Sequence, residues 1–234
     1  MWKVPRIWDG GECWIIGGGP SLTEEFGIPK ELVTEVKKGE QPPSSYSPYM
    51  EALHDKHLIG INAAFRLGNW IEFIFFGDGG FYLKNRKSLL KHPGLKVSCS
   101  PKIDTVRFKS AGVKYLQRDH NRAKGISKNL HKVSWNNNSG GAAISFAVHL
   151  GVSRIILLGF DMCNAGDHSQ HWHNLYGRSS GQPPKKPHRL PFHRHLLGFP
   201  FIAEDAKKMG IEIINASPNS AIEEFPKVKV KELL

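Results

Sequence analysis

Cysteine is scarce in this 234-residue sequence, which contains three, and long apolar runs are missing altogether. Cys13, Cys99 and Cys163 form no CxxC pair, which argues against a zinc ribbon and against a disulfide framework. No apolar run approaches the roughly 20 residues that a bilayer-spanning helix needs. The first eight residues lack the apolar core of a secretory signal, so we expect a cytoplasmic protein.

The composition excludes several classes of protein. Hydrophobic residues make up 40% of the chain and charged residues 23%, which is ordinary for a globular protein and unlike a disordered or collagen-like chain. A chain of this length buries roughly 70% or more of the surface that it exposes when unfolded. We therefore expect one α/β domain spanning residues 1–234.

The positive charge is concentrated in one segment, 84–132. This segment contains 14 Lys and Arg but only 2 Asp and Glu, whereas the whole chain has a net charge of +11. Such a block attracts anionic partners, for example DNA or a phosphorylated glycan acting as an acceptor. The alternative is a solvated face that keeps the protein soluble. The segment has few aromatic residues, so it shows no platform for base stacking.

Short apolar runs alternate with segments that carry helix signals. Strands are predicted near 13–16, 58–61, 71–76, 95–98, 113–116, 154–158 and 211–214, and helices over 139–150 and 202–209, ending at Gly151 and Gly210. Continuous apolar runs are typical of strands that are covered on both faces. The pattern predicts a single doubly wound, mostly parallel, Rossmann-like sheet. A surface loop is expected over 41–48, and a long His-rich loop, 167–200, is expected to close over the site.

A glycine-rich turn directly follows the first predicted strand. Gly17, Gly18 and Gly19 precede Pro20 and Ser21. Backbone amides in such a turn can approach a phosphate closely. The turn is neither a Walker A loop nor a GxGxxG motif. A tight connection between strand and helix is the alternative, but the position at a strand end favours a nucleotide site.

Polar residues also follow other predicted strands or begin a predicted helix. Asn62 ends the second strand, Asp78 ends the third, and Asp161 follows the 154–158 strand. Asn138, Ser139 and Gly140 begin the 139–150 helix, where they either bind an anion or cap the helix. Asp78 is placed to hold Mg²⁺, to accept hydrogen bonds from a ribose or a substrate amine, or to cap the helix that follows it.

Histidines are dense in one part of the chain. Six of the 12 lie between 168 and 195, and no acidic residue occurs from His168 to Ala203. Neutral histidine is a general base near physiological pH, and neighbouring cations favour its neutral form. The candidates for this role are His171, His173, His193 and His195. His171 and His173 can also ligate a metal with Asp161 or Asp167.

The order of these motifs resembles a known superfamily. The sequence GGGPSL after the first strand, IGINAAF, FFGDGGFY, the stretch from NNSGG to LLGFDM, and the final INASPNS match its pattern from about Ile15 to Pro226. This superfamily contains bacterial CMP-sialic-acid sialyltransferases, archaeal-type 6-hydroxymethylpterin diphosphokinases and motility accessory factors. The sequence is most similar to its short phage-encoded members, and a phage protein would act in the host cytoplasm.

The resemblance implies a transferase that uses a nucleotide-sugar donor such as a CMP-sugar. It implies that Gly18, Gly19, Ser21, Asn62, Ser139 and Gly140 hold the nucleotide, and that His193 or His195 acts as the general base. The tyrosines that surround the leaving phosphate in sialyltransferases have no clear counterparts here. The Asp78 segment is closer to the diphosphokinases, in which this residue would bind Mg²⁺-ATP. A third interpretation is a non-catalytic protein that binds nucleotide and nucleic acid.

Overall fold

The computed structural model describes residues 2–101, 111–163, 171–173, 175 and 192–234. Much of the predicted His-rich loop, including His168 and His188, lies outside these residues, as does part of the basic segment. Our expectation of a single domain stays a prediction. None of the helices in the described ranges is long and apolar enough to cross a bilayer.

A parallel sheet of seven strands forms the centre of the fold. Its order is β5-β4-β3-β2-β1-β8-β9, and all six pairings are parallel. A separate pair, β6 and β7, is also parallel. The strands are β1 (Glu12–Ile16), β2 (Leu58–Ile61), β3 (Phe73–Phe76), β4 (Leu95–Ser98), β5 (Lys114–Tyr115), β6 (Gln117–Arg118), β7 (Lys132–Val133), β8 (Arg154–Leu158) and β9 (Glu212–Asn215).

Helices cover both faces of this sheet, as the continuous apolar runs predict. In β1, Cys13 and Ile15 pack into one hydrophobic cluster, and Trp14 and Ile16 pack into the cluster on the opposite face. The same alternation occurs in β3 and β8, because successive side chains of a strand point to opposite faces. The predicted doubly wound α/β architecture is therefore confirmed.

Six α-helices and three 3₁₀ segments are present in the described residues. The helices are α1 (Ser21–Glu25), α2 (Lys30–Lys38), α3 (Gly79–Lys91), α4 (Ser139–Leu150), α5 (Phe192–Leu196) and α6 (Phe199–Met209); the 3₁₀ segments are Pro43–Leu53, Asn62–Leu67 and Val230–Glu232. Helix α4 has the predicted bounds. It ends at Gly151 with φ 100°, and α6 ends at Gly210 with φ 69°, which are left-handed conformations that favour glycine.

Two local predictions differ from the structure. The Pro- and Ser-rich stretch 41–48 is predicted as a surface loop, but 3₁₀ structure begins at Pro43 and Tyr46 is fully buried. Proline suits the first turn of a helical segment because its nitrogen needs no acceptor there. The end of the 167–200 loop is helical, because α5 begins at Phe192 and α6 at Phe199.

The described parts of the basic segment lie in different parts of the fold. Helix α3 packs on one face of the sheet through Phe81, Tyr82 and Leu89. Arg122 pairs with Asp205 of α6, a helix whose buried side chains belong to the cluster on the other face. Helix α3 carries four exposed cations of this segment, Lys84, Arg86, Lys87 and Lys91.

The position of β1 in the sheet is relevant to ligand binding, because the strand order reverses there. The chain proceeds from β1 through β2 to β5 on one side, whereas β8 and β9 lie on the other side. The loops after β1 and β8 therefore leave neighbouring strands at the carboxyl edge of the sheet. In open α/β sheets such a switch point is the usual place for a ligand crevice.

Candidate functional site

The loops after β1 and β8 are bonded to each other at the switch point. The Gly17 amide donates to the Leu158 carbonyl at 2.7 Å, and the Gly19 amide donates to the Gly159 carbonyl at 2.8 Å. A Cβ added to Gly17 would lie 2.6 Å from the Gly159 oxygen. Glycine is therefore required here because two backbone segments of the protein approach each other closely.

The carboxylate of Asp161 binds the beginning of α1. The Ser21 amide donates to Oδ1 at 3.1 Å, and the Ser21 hydroxyl donates to Oδ2 at 2.9 Å. Burial raises the pKa of Asp161, and the two bonds from Ser21 oppose this rise. Both residues were predicted to bind nucleotide. The structure shows them bonded to each other, and their role toward nucleotide stays a prediction.

The segment His171–Trp172–His173 lies on the glycine turn. The Trp172 amide donates to the Gly18 carbonyl at 3.1 Å, and its indole nitrogen donates to the Gly17 carbonyl at 2.9 Å. Trp172 is fully buried, and Tyr46 Oη donates to the Trp172 carbonyl at 3.4 Å. Two carbonyls of the turn are thus satisfied by a segment more than 150 residues away in the chain.

His171 and His173 are stacked on each other. Their ring centroids are 5.1 Å apart and their planes differ by 3°. His171 Nδ1 lies 3.3 Å from the Gly18 carbonyl, so this nitrogen carries a proton, and burial lowers the pKa of the ring. Burial, together with the charges of His171 and Arg66, lowers the pKa of His173 to about 3. His173 is therefore neutral at physiological pH and a very weak base.

The beginning of α4 joins three parts of the carboxyl edge. Asn138 Oδ1 accepts from the Gly141 amide at 2.6 Å, which is the capping role. Ser139 Oγ accepts from the amide of Gly77, which follows β3, at 3.2 Å. A Cβ on Gly140 would lie 2.7 Å from the Phe160 ring, beyond β8. The predicted residues Asn138, Ser139 and Gly140 therefore lie between the ends of β3 and β8.

Helix α5 brings His195 to the same place. The Asn138 side-chain amide donates to the His195 carbonyl at 3.1 Å. Burial lowers the pKa of His195, and the nearby Arg194 and His193 lower it further. His193, on the same helix, is exposed. Of these two predicted bases, His195 has the more sheltered environment, which favours the neutral form that a general base needs.

Asp78 caps α3, as one of the two sequence interpretations predicts. Its Oδ1 accepts from the Gly80 amide at 2.9 Å, and the residue is exposed. Among the residues that the structure describes, no three His, Cys, Asp or Glu side chains come together as a metal-binding group. In that part of the chain His171, His173 and Asp161 therefore do not form a metal-ligand set, whereas Asp167 lies outside it. A magnesium role for Asp78 stays a prediction.

The 3₁₀ segment after β2 contributes a strained residue and a cation. Asn62 has φ 51°, a left-handed conformation that is uncommon for residues other than glycine. Its Oδ1 is buried without a hydrogen-bond partner in the described structure. One turn later, Arg66 is half-buried and affects the pKa of His173. The sequence interpretation did not identify Arg66; a single cation in the apolar stretch NAAFRL was the available signal.

Arg118 is a second residue that the sequence interpretation did not identify. Its Nη2 donates to the Gly77 carbonyl at 2.8 Å, and its Nε donates to the Cys99 carbonyl at 3.0 Å. Its guanidinium carbon lies 3.5 Å from the centroid of the Trp135 ring, a cation–π contact. Arg118 therefore holds the ends of β3 and β4 together, next to Trp135 in the segment that leads into α4.

The fold is similar to that of several solved structures. The MAf glycosyltransferase from Magnetospirillum magneticum AMB-1 matches with a TM-score of 0.60 and 12% sequence identity. The match covers 100% of this chain and 36% of that protein, so this chain spans about a third of its length. At this identity, the match establishes a shared α/β fold.

The sialyltransferase CstII from Campylobacter jejuni is a more distant match. Its complex with cytidine-5'-monophosphate matches with a TM-score of 0.48 and 14% identity, covering 93% of this chain and 84% of that one. Its complex with a trisaccharide acceptor and CMP matches with a TM-score of 0.46 and 13% identity, covering 93% and 86%. No family model matches the sequence, and no curated protein is similar enough to match it.

Proposed function

We propose that this protein is a nucleotide-dependent glycosyltransferase that moves a sugar from a nucleotide-sugar, such as a CMP-sugar, to an anionic acceptor. The observation that carries the proposal is the position of His195, a sheltered histidine beside the beginning of α4, at the carboxyl edge where the strand order reverses. The fold that the chain shares with the MAf glycosyltransferase supports the reaction class. Membership of the sialyltransferase-like superfamily is part of the same proposal.

His195 acts as the general base in this proposal. Its imidazole removes the proton from the acceptor hydroxyl while that oxygen attacks the anomeric carbon of the donor sugar. The bond between the sugar and the phosphate then breaks, and the nucleotide leaves with the electron pair. The lowered pKa of His195 keeps the ring neutral and ready to accept this proton at physiological pH.

The nucleotide lies at the carboxyl edge, near Asn62 and the beginning of α4. The buried Oδ1 of Asn62, which has no partner in the described structure, offers an acceptor to a base or ribose. The acceptor substrate is anionic and is attracted by the exposed cations of α3, which begins at the same edge. DNA and a phosphorylated glycan both carry the negative charge that we propose for the acceptor.

A thermal-shift panel tests donor binding. CMP, CDP, UDP, GDP and ATP are each added with EDTA and with Mg²⁺. A ligand at about 100 times its dissociation constant adds roughly 2.7 kcal/mol of stability. Stabilisation by a pyrimidine nucleotide in EDTA supports the proposal. Stabilisation by ATP only with Mg²⁺ would replace it with diphosphoryl transfer through Asp78, and no stabilisation by any nucleotide would refute it.

Variants of the histidines test the mechanism. His195→Ala should lower the transfer rate by about 10²- to 10⁴-fold while leaving nucleotide affinity nearly unchanged. His120→Ala is the matched control, because this histidine is exposed and lies outside the site. Loss of transfer in His193→Ala but not in His195→Ala would move the base to His193. Full activity of the His193→Ala, His195→Ala double variant would rule out both histidines as the base.

A further inference from the structure

Arg66 is a half-buried cation without an anionic partner in the described structure. Its Nη2 donates to Asn85 Oδ1 at 2.9 Å, and its Nε is buried without any hydrogen-bond partner there. No ion pair to a described carboxylate is formed, and desolvation alone lowers its pKa. Removing a guanidinium from water without a compensating anion costs free energy.

The guanidinium is nevertheless held in place. Asn85 accepts from Arg66 through its oxygen and donates through its nitrogen to the Phe81 carbonyl at 2.9 Å. The neutral amide of Asn85 thus holds one end of the guanidinium group and contributes no charge. The backbone of Arg66 belongs to the 3₁₀ segment that begins at the strained residue Asn62, directly after β2. An arginine positioned in this way is preorganised for a ligand.

The site most often used by phosphates in such folds is already occupied by the protein. The amide and hydroxyl of Ser21, at the beginning of α1, both donate to Asp161. This carboxylate stands where an anion would bind, and a second negative charge there would be repelled. Helix α1 has five residues, and the amides of Gly17 and Gly19 already donate to the carbonyls of Leu158 and Gly159. A phosphate that binds at this edge therefore needs a cationic partner away from the beginning of α1.

We propose that the guanidinium of Arg66, in the 3₁₀ segment that begins at Asn62 directly after β2, binds a phosphoryl group at the carboxyl edge of the sheet. The assignment of that group to a nucleotide donor rests on the proposed function. The bound phosphate compensates the charge of Arg66 and accepts the hydrogen bond that its Nε lacks. His173 is neutral at physiological pH and therefore adds no positive charge to this site.

The test compares anion binding by the wild type and by Arg66→Gln. Inorganic phosphate, pyrophosphate, CMP and cytidine are titrated in thermal shift, with acetate at equal ionic strength as the reference. We expect phosphate and CMP to stabilise the wild type more than acetate and cytidine do. We expect Arg66→Gln to bind them at least about tenfold more weakly, the loss typical of a charged hydrogen bond. Arg6→Gln, an exposed site with the same change in charge, should bind them normally.

A structural role for Arg66 makes a different prediction. If Arg66 only supports the fold, Arg66→Gln lowers the melting temperature without ligand and keeps the stabilisation by phosphate. In our proposal it keeps or raises the melting temperature and loses that stabilisation. If Arg66→Gln does not fold, Arg66→Lys and Asn85→Ala serve instead, and each should weaken phosphate binding. Unchanged binding in these variants, or a wild type that phosphate stabilises no more than acetate does, would overturn the proposal.

The same titrations separate this proposal from the proposed function. If phosphate binds through Arg66 but CMP binds no better than phosphate, the phosphoryl site stands and the nucleotide donor is wrong. If CMP binds equally well to the wild type and Arg66→Gln, nucleotide binding stands and the role of Arg66 is wrong.

Discussion

Acid should destabilise this protein, and His173 should account for a measurable part of the effect. His173 is 6% exposed, and burial is the main cause that lowers its pKa from 6.5 to about 3. Between these two values the unfolded chain binds a proton that the folded chain does not. Because the folded-state pKa is the lower one, stability is present above pH 6.5 and is lost as the pH falls through this window.

The size of the loss follows from the two pKa values. Between pH 6 and pH 5 the folded ring stays neutral while the unfolded ring becomes protonated. Integrating the proton linkage over this interval gives about 1.2 kcal/mol of lost unfolding free energy from this one histidine. His173→Asn removes the titrating group, and its side-chain oxygen can replace Nδ1 as the acceptor for the Leu175 amide.

Urea unfolding at pH 6 and at pH 5 measures this contribution. The difference in unfolding free energy between the two pH values should be about 1 kcal/mol smaller in His173→Asn than in the wild type. His120→Asn, at an exposed position, should behave like the wild type. An equal loss in the wild type and in His173→Asn would refute our description of His173 as a buried, neutral ring.

Three further variants probe the carboxyl edge, each by thermal or urea unfolding. Gly19→Ala should lower the unfolding free energy by about 2 to 3 kcal/mol, because its Cβ would lie 2.7 Å from the Gly159 carbonyl oxygen and would overlap the Asp161 carboxylate. Ser21→Ala should cost about 1.5 to 3 kcal/mol, because it leaves a buried carboxylate oxygen without its donor, and it should change phosphate affinity less than twofold. Asn138→Ala should cost about 1 to 2 kcal/mol, because it removes the cap of α4.

Conservative substitutions give the controls for these variants. Ser21→Thr keeps the hydroxyl and should keep most of the stability, whereas a loss equal to that of Ser21→Ala would contradict a hydrogen-bonding role. Asn138→Asp keeps the cap and loses the donor to the Asn136 and His195 carbonyls, so it should cost less than Asn138→Ala, which loses the cap as well. Gly19→Ala with wild-type stability would show that the two loops are not in close contact.

Much of the fold follows from local patterns in the sequence. The run Arg154–Leu158 is predicted and observed as a strand, and α4 is observed with its predicted bounds. Such predictions succeed because continuous apolar runs and end signals act within one segment. The Pro- and Ser-rich stretch around Tyr46 was wrongly predicted, because its burial depends on Trp172, which lies 126 residues away. Composition alone cannot reveal such a contact.

In the candidate site, too, some features follow from the sequence and others depend on the tertiary structure. Strand ends followed by glycine or polar residues place Asn62, Asp78 and Asp161 at one edge of a parallel sheet, and the sequence determines this much by itself. Only the tertiary structure decides that Asp161 binds Ser21, that Trp172 covers the glycine turn, and that Arg66 has no carboxylate partner among the described residues. The physical reason is that these contacts depend on which strands are neighbours. β1 lies between β2 and β8, and that order brings together residues that are far apart in the chain.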